Sequence, residues 1–357
     1  MEAVVTNKPD FWGQAKTFAG KVVKNYWLRR ILRMIFTIWV TTSLIFFLIR
    51  LMPGNPYDLM VQEMMIQRGM SQEEAEDEAS KMTGINITDP LLVQYGTYMK
   101  NLMKGDMGSS YRSPGKSVTS LVLARLPWTL VLIGTSLIVS FVIGVSIGTV
   151  AAYRRGSFLD NVFSNMAAIL DAIPNYLTAI ILFMLLGVIL KIVPLHFMRG
   201  AISPGIKVDF SPEFFVDMLK HMAVPVLAYV LSTAGSWMLT MKSSTISTMG
   251  EDYVTAAKAR GLKEGRILTS YVGRNASLPL VTRLAISIGF VMGGSVLIER
   301  IFTYQGIGML LWQAISQRDY PLMQAVFLVS TIAIVVANFT ADILYGWLDP
   351  RVRSTGD

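Results

Sequence analysis

Six apolar runs, each about 20 residues or longer and set apart by polar segments, leave this chain few ways to fold. They fall at 31–51, 127–152, 162–191, 218–240, 278–298 and 322–346. A helix of 20 residues rises about 30 Å, the thickness of a bilayer's hydrocarbon core. Apolar and polar side chains do not alternate with period two along these runs, which excludes a membrane β-barrel. The expected fold is therefore all-α, a membrane protein with six transmembrane helices. Composition agrees, since 52% of the 357 residues are hydrophobic and only 16% are charged, too apolar a mixture for a soluble domain.

Several function classes drop out at once. Cysteine is absent, so there is neither a disulfide framework nor a thiolate metal site. His196 and His221 are the two histidines, and no cluster of metal ligands forms around them in the sequence. The net charge of +8 is the total that basic loops of a membrane protein produce, so no nucleic-acid partner is expected. The first thirty residues lack the short apolar core of a cleavable signal. Gly115-Lys116-Ser117 resembles the end of a phosphate loop, but Ser110 stands where the pattern needs glycine. No serine, histidine and carboxylate spacing suggests a nucleophilic triad, and no active site is expected.

The distribution of Lys and Arg sets the orientation. Segments 1–30, 153–161, 241–277 and 347–357 carry 16 over 87 residues, and the opposite set carries 11 over 124. The positive-inside rule thus predicts both termini in the cytoplasm, with an external loop over 52–126 and a cytoplasmic loop over 241–277. In residues 11–27, Phe11, Trp12, Ala15, Phe18, Ala19, Val22, Val23, Tyr26 and Trp27 make one apolar stripe opposite Lys16, Lys21 and Lys24. That pattern predicts an N-terminal amphipathic helix lying in the membrane interface, or else one packed on the protein's own core. In the external loop, Ser71 and Glu74 form a capping box, and Glu73, Glu76, Asp77 and Glu78 make an acidic surface helix. Its acidic face is either simply solvated or a contact for an external protein. Gly105–Ser110 marks a tight turn.

Within the apolar runs, Gly144 and Gly148 are four apart, as are Gly289 and Gly293, a spacing that lets helices approach closely. Asp171 and Pro174 share the third run. An ionisable group beside a helix-breaking proline marks a protein-lined path, with Asn175 and Tyr176 as its companions, unless Asp171 is solvated at the cytoplasmic end. Arg283 and Asp342 stand near span ends, where snorkelling or a structural ion pair accounts for them.

The most distinctive stretch is the charged island Glu251 to Leu280, EDYVTAAKARGLKEGRILTSYVGRNASLPL. Two helical runs are expected to meet at Gly261 as a left-handed stop, the second closed by Pro279. Tyr253, Ala256 and Ala257 share one helical face with Lys258 and Arg260 beside it. Small side chains with a basic rim suit either a docking knob for a cytoplasmic partner or an amphipathic loop on the membrane.

These residues resemble a known family. TAAKARG at 255–261 is similar to the EAA loop of the permease subunits of bacterial ABC importers, and DYVTAAKARGL with Asn275, Leu278 and Pro279 resembles their dipeptide and oligopeptide branch. Arg50 to Pro56, Gln94-Tyr95, Gly105 to Ser110, Arg125 to Leu130, Ile173-Pro174, Gly306-Ile307-Gly308, Arg318 to Pro321 and Leu348 to Arg353 resemble that branch in register, and the first-loop features resemble its B-type member. The glutamate that names the EAA loop is Thr255 here, and residues 60–88 are longer and more acidic than in many such permeases.

The resemblance implies a permease domain over 31–346 flanked by cytoplasmic tails at 1–30 and 347–357, in a bacterial or archaeal cell (inner) membrane. It implies a second, C-type permease subunit, two cytoplasmic ATP-binding subunits that hold the ATP and Mg, an external substrate-binding protein, and no cofactor in this chain. Glu251, Tyr253, Thr255, Ala256, Ala257, Lys258, Gly261 and Lys263 would couple this chain to the ATPases. Dipeptides or oligopeptides are the cargo implied, with oligosaccharides or metal chelates as the alternative. A secondary transporter would need paired ionisable groups or broken helices in matching halves; Pro174 interrupts one run, and no second half matches it.

Overall fold

Two long helices carry the architecture of the computed structural model, which describes residues 26–51, 56–83, 89–111, 113, 116–294 and 296–348. The first helix, α1, is Tyr26–Arg50, and Pro56–Arg68, Gln72–Thr83 and Leu91–Met103 follow as α2, α3 and α4. Then come the long α5, Val118–Tyr153, a broken pair α6, Phe158–Ala172, and α7, Asn175–Leu182, and the long α8, Pro212–Met249. The described residues end with α9, Asp252–Ala259, α10, Arg274–Gly294, α11, Val296–Ile301, α12, Ile307–Gln317, and α13, Tyr320–Leu348. Among the described residues, β pairing is limited to a single bridge, Ser109 to Ser117.

At 36 and 38 residues, α5 and α8 rise about 54 and 57 Å, well beyond a hydrocarbon core of about 30 Å. They pack along each other because glycines remove the side chains between them. A Cβ on Gly144 would come within 2.5 Å of the Trp237 Cβ, and one on Gly148 would meet the Met238 carbonyl oxygen. Gly235 does the same for α6, where an added Cβ would lie 2.5 Å from the Ala167 carbonyl oxygen. The spacing of Gly144 and Gly148 thus has the meaning expected of it. Gly289 and Gly293 lie outside the described surroundings. Gly148→Leu should prevent α5 and α8 from closing, at a cost above the usual 1–3 kcal/mol of overpacking because the obstacle is backbone. Monodisperse yield in detergent is the readout, with Gly134→Ala, which meets nothing within 4 Å, as the control expected to behave like the parent.

Four single helices are long and apolar enough to cross a membrane among the described residues: Leu28–Arg50, Val118–Tyr153, Pro212–Met249 and Tyr320–Ala341. A fifth arises only if α6 and the helical stretch Asn175–Ile189 count as one span, and the two halves meet at 99°. The expected third span, 162–191, which carries the interrupting proline, is a broken one. Pro174 explains the break, because it has no N–H to donate and pushes Ile173 into extended backbone at φ −87°, ψ 122°. The expected fifth span coincides with α10, which is outside the set of four. The stripe predicted over 11–27 lies outside the described residues except for Tyr26 and Trp27, which open α1.

Outside the apolar helices, local signals act as their chemistry requires. Ser71 N–H donates to the Glu74 carboxylate at 3.0 Å and the Glu74 N–H returns to Ser71 Oγ at 3.4 Å, closing the predicted box at the start of α3. The Ser71 N–H and, at 2.9 Å, the Ser71 hydroxyl both donate to the Glu74 carboxylate and hold it below the usual carboxylate range. The acidic helix packs Ala75 and Ala79 onto Val61 and Met64 of α2, leaving its charged face outward. Gly105 and Gly108 both take positive φ in the predicted turn.

Candidate functional site

Glu251, in extended backbone, is the N-cap of α9, and the helix ends at Arg260 with Gly261 at φ +73°. That is the left-handed stop expected from sequence, a conformation in which any Cβ would be strained. Lys263 then caps a short turn, Glu264–Arg266, which runs through a π-helical stretch, Ile267–Gly273, into α10. Pro279 does not close the second helix, contrary to expectation. It sits inside α10, where the buried neighbours Ala276 and Leu280 hold the helix through the proline.

The loop has its own small core. Val254, Ala257, Ile267 and Val272 are buried against one another, with Met249, Leu262 and Tyr271 at the margin. Ala257 is 3% exposed, so it faces inward and is unavailable to a docking surface. This corrects the expected face: its small size lets α9 lie close on the π-helical stretch. The outward set is Glu251, Tyr253, Thr255, Ala256, Lys258, Arg260, Gly261 and Lys263, all exposed. Val254 and Ala257 three apart, inside an otherwise charged island, were the sequence signal for the inner face.

One contact closes this loop on itself and three tie it to the long helices. Asn275 Nδ2 donates to Tyr253 Oη at 3.0 Å and to the Tyr271 carbonyl at 2.9 Å, closing α9 onto the start of α10. The Tyr153 hydroxyl, at the end of α5, donates to the Glu264 carboxylate. Ser244 Oγ on α8 donates to the Ala276 carbonyl at 2.8 Å. Arg283 reaches from α10 to Thr240 Oγ1 at 2.9 Å and Ser236 Oγ at 2.8 Å on α8. These bonds connect the loop directly to α5 and α8. On the same side, Lys242 pairs with the buried Asp160 at 2.5 Å and bonds Ser164 at 2.8 Å, locking α6 to α8.

At the opposite end, separate sequence motifs meet one another. Arg50 Nε donates to Gln94 Oε1 at 3.1 Å, and Ser43 and Tyr95 share a hydrogen bond of 2.6 Å, joining α1 to α4. Ser110 Oγ donates to Asp319 Oδ2 at 2.5 Å, joining the glycine turn to the start of α13. Glu299, wholly buried, accepts from Thr129 Oγ1 at 2.8 Å and from the Met309 N–H at 3.0 Å. Thr129 Oγ1 in turn accepts from the Ile307 N–H at 2.7 Å. A Cβ on Gly306 would collide with both the Glu299 carboxylate and the Thr129 hydroxyl. Gly306-Ile307-Gly308 is thus the N-terminal cradle of α12 for a carboxylate, where backbone N–H groups and the helix dipole favour negative charge. Sequence reasoning singled out these glycines and missed Glu299.

Asp171, Asn175 and Tyr176 flank the 99° break. Asp171 is exposed in the last turn of α6, Asn175 is half-buried at the start of α7, and Tyr176 is exposed beside it. Ser203, Asp217 and His221, far from suggestive in sequence, are brought together. Asp217 accepts from the Ser203 N–H at 2.6 Å and its hydroxyl at 2.7 Å, while His221 Nε2 lies 3.1 Å from Ser203 Oγ. The carboxylate holds the serine and lies 3.6 Å from the same His221 Nε2 that faces the serine hydroxyl, which is not the relay of a nucleophilic triad. This cluster fastens the segment before α8 to its first turns.

Comparison with known proteins extends this picture. Residues 144–354 match the family model described as binding-protein-dependent transport system inner membrane component. A putative peptide permease of Brucella suis biovar 1 is 34% identical over 330 residues, covering 92% of this chain and 99% of its own. The oligopeptide transport system permease AppB of Bacillus subtilis is 36% identical, covering 92% of this chain and 99% of its own. The dipeptide transport system permease DppB of Escherichia coli K12 is 30% identical, covering 91% and 98%.

Proposed function

The chain belongs to the family of binding-protein-dependent transport system inner membrane components, and we propose that it is one membrane-spanning subunit of an ATP-driven importer of dipeptides or oligopeptides. In this reading it crosses the membrane six times, with α6 and α7 forming a broken span, α10 a further span, and both termini cytoplasmic. A second permease subunit of the C-type completes the path. Two cytoplasmic subunits bind ATP and Mg, and an external binding protein delivers the peptide. Residues 31–346 form the permease domain, flanked by tails at 1–30 and 347–357.

The observation that carries this reading is the loop 251–280, which has its own core and is tied to α5 and α8. Alternating access requires that ATP binding and hydrolysis favour different packings of the helices. A loop that deforms would dissipate that difference; a small rigid body transmits it. Glu251, Tyr253, Thr255, Ala256, Lys258, Gly261 and Lys263 are its docking surface, and Ala257 acts from beneath by keeping α9 in place.

Asp171, Asn175 and Tyr176 line or gate the path at the break between α6 and α7. Asp171→Asn should lower uptake about 10-fold, the scale of one charged hydrogen bond, with the complex still assembled. Radiolabelled dipeptide uptake into proteoliposomes measures it, and unchanged uptake with unchanged peptide-stimulated ATP hydrolysis would remove these residues from the path. The function as a whole is tested by purifying the tagged chain from its native membrane. The expected companions are two ATP-binding subunits and a second permease; a chain that purifies alone and transports peptide on a proton gradient would refute the importer.

A further inference from the structure

A cleft opens between α1 and α13, at the end of the bundle where the described chain begins. Arg30, Arg33 and Thr37 line it from α1, Val335, Asn338 and Phe339 from α13, and it holds about 230 Å³. Arg30 and Arg33 are three apart and so share one face of the helix. Guanidinium groups are planar forks that match phosphate oxygens two at a time, which makes arginine the side chain suited to a phosphate. Thr37 and Asn338 add neutral polar groups, and Val335 and Phe339 give the cleft an apolar wall.

The surroundings point to what fills it. The two helices run antiparallel, since Ile49 near the end of α1 packs with Leu322 and Val326 near the start of α13, while Arg30 lies opposite Phe339. Deeper in the bundle, Val40 and Leu44 of α1 and Ile332 and Val336 of α13 are exposed apolar side chains. A basic, polar cleft at the end of two spans, leading into exposed apolar surface, has the order of a phospholipid: headgroup first, acyl chains after. Arg29, Arg30 and Arg33 all lie near the start of α1, so this end of the helix is strongly basic. We infer that the cleft is a headgroup site for an anionic phospholipid, an inference that rests on the membrane-spanning arrangement proposed above. Such basic clefts between spans are where phosphate headgroups bind.

The test uses the full chain purified with its partner subunits, stripped of lipid and titrated with dioleoylphosphatidylglycerol, dioleoylphosphatidylcholine or inorganic phosphate. Bound lipid is counted by native mass spectrometry. Phosphatidylglycerol should be retained in preference to phosphatidylcholine, and Arg30→Gln with Arg33→Gln should weaken it about 30-fold, the scale of two arginines near an anionic surface. Millimolar inorganic phosphate should not displace it. If the double variant does not fold, Thr37→Phe fills the cleft with both arginines kept, and the same selective loss is expected. Unchanged phosphatidylglycerol binding in these variants, equal loss of phosphatidylcholine, or full displacement by inorganic phosphate would overturn the site. A complex that takes up neither lipid would contradict the spanning arrangement itself, a separate and recognisable failure.

Discussion

Ala256→Arg is expected to abolish peptide-stimulated ATP hydrolysis while leaving the membrane bundle folded. Ala256 is exposed on α9, so an arginine there leaves the isolated subunit intact but places a long charged side chain on the proposed docking surface. In a closely packed interface one such residue is worth 2 kcal/mol or more, about 30-fold in affinity. Ala257→Arg should behave differently. That side chain is buried with Val254, Ile267 and Val272, and a buried unpaired charge destabilises by several kcal/mol. It should lose the loop itself, seen as rapid proteolysis within 251–273, before any interface is tested. The pair of variants separates surface from support: coupling lost with the loop intact for Ala256, loop lost for Ala257. Full ATP-driven uptake by Ala256→Arg would show that α9 does not carry the docking surface.

Glu299→Ala is expected to be the most destabilising single change at the other end of the molecule. It removes the acceptor for Thr129 Oγ1 and the Met309 N–H, and each buried donor left unsatisfied costs about 1–3 kcal/mol. An empty space beneath Gly306 and Gly308 adds a cavity term. Together these should lower the midpoint of thermal unfolding in detergent by about 10 °C, at 2–4 °C per kcal/mol. Gly306→Ala should reproduce part of the loss, because its Cβ would press on the same carboxylate and hydroxyl. Glu299→Gln keeps the shape but turns an N–H group toward a donor, so it should fall between parent and alanine. A midpoint unchanged in Glu299→Ala would mean that the cradle of α12 is not what holds α5 and α11 together.

How legible the molecule was in its sequence depended on the range of each signal. Features set within a few residues were readable: the Ser71–Glu74 box, the left-handed Gly261, and the spacing of Gly144 and Gly148. Hydropathy located the apolar segments but carries no direction, so 162–191 read as one span although Pro174 turns it through 99°. Pro279 misled in the opposite sense, because packing of Ala276 and Leu280 outweighs a local breaker. Ala257 was placed on the wrong side because the inner partners Ile267 and Val272 arrive only after the turn. The pairs that explain the motifs, Ser110 with Asp319 and Thr129 with Glu299, are separated by 209 and 170 residues, beyond any periodicity. Motif resemblance marked most of those positions without saying which touches which.

The central claim, that the loop 251–280 is the cytoplasmic contact for a separate ATPase, can be tested directly because the chain has no cysteine. A single Ala256→Cys in the assembled complex should cross-link to an ATP-binding subunit, with a yield that changes between nucleotide-free and ATP-trapped states. It should resist a membrane-impermeant maleimide applied to intact spheroplasts. Labelling of Ala256→Cys from outside, or a cross-link to the binding protein instead of an ATPase, would contradict the account.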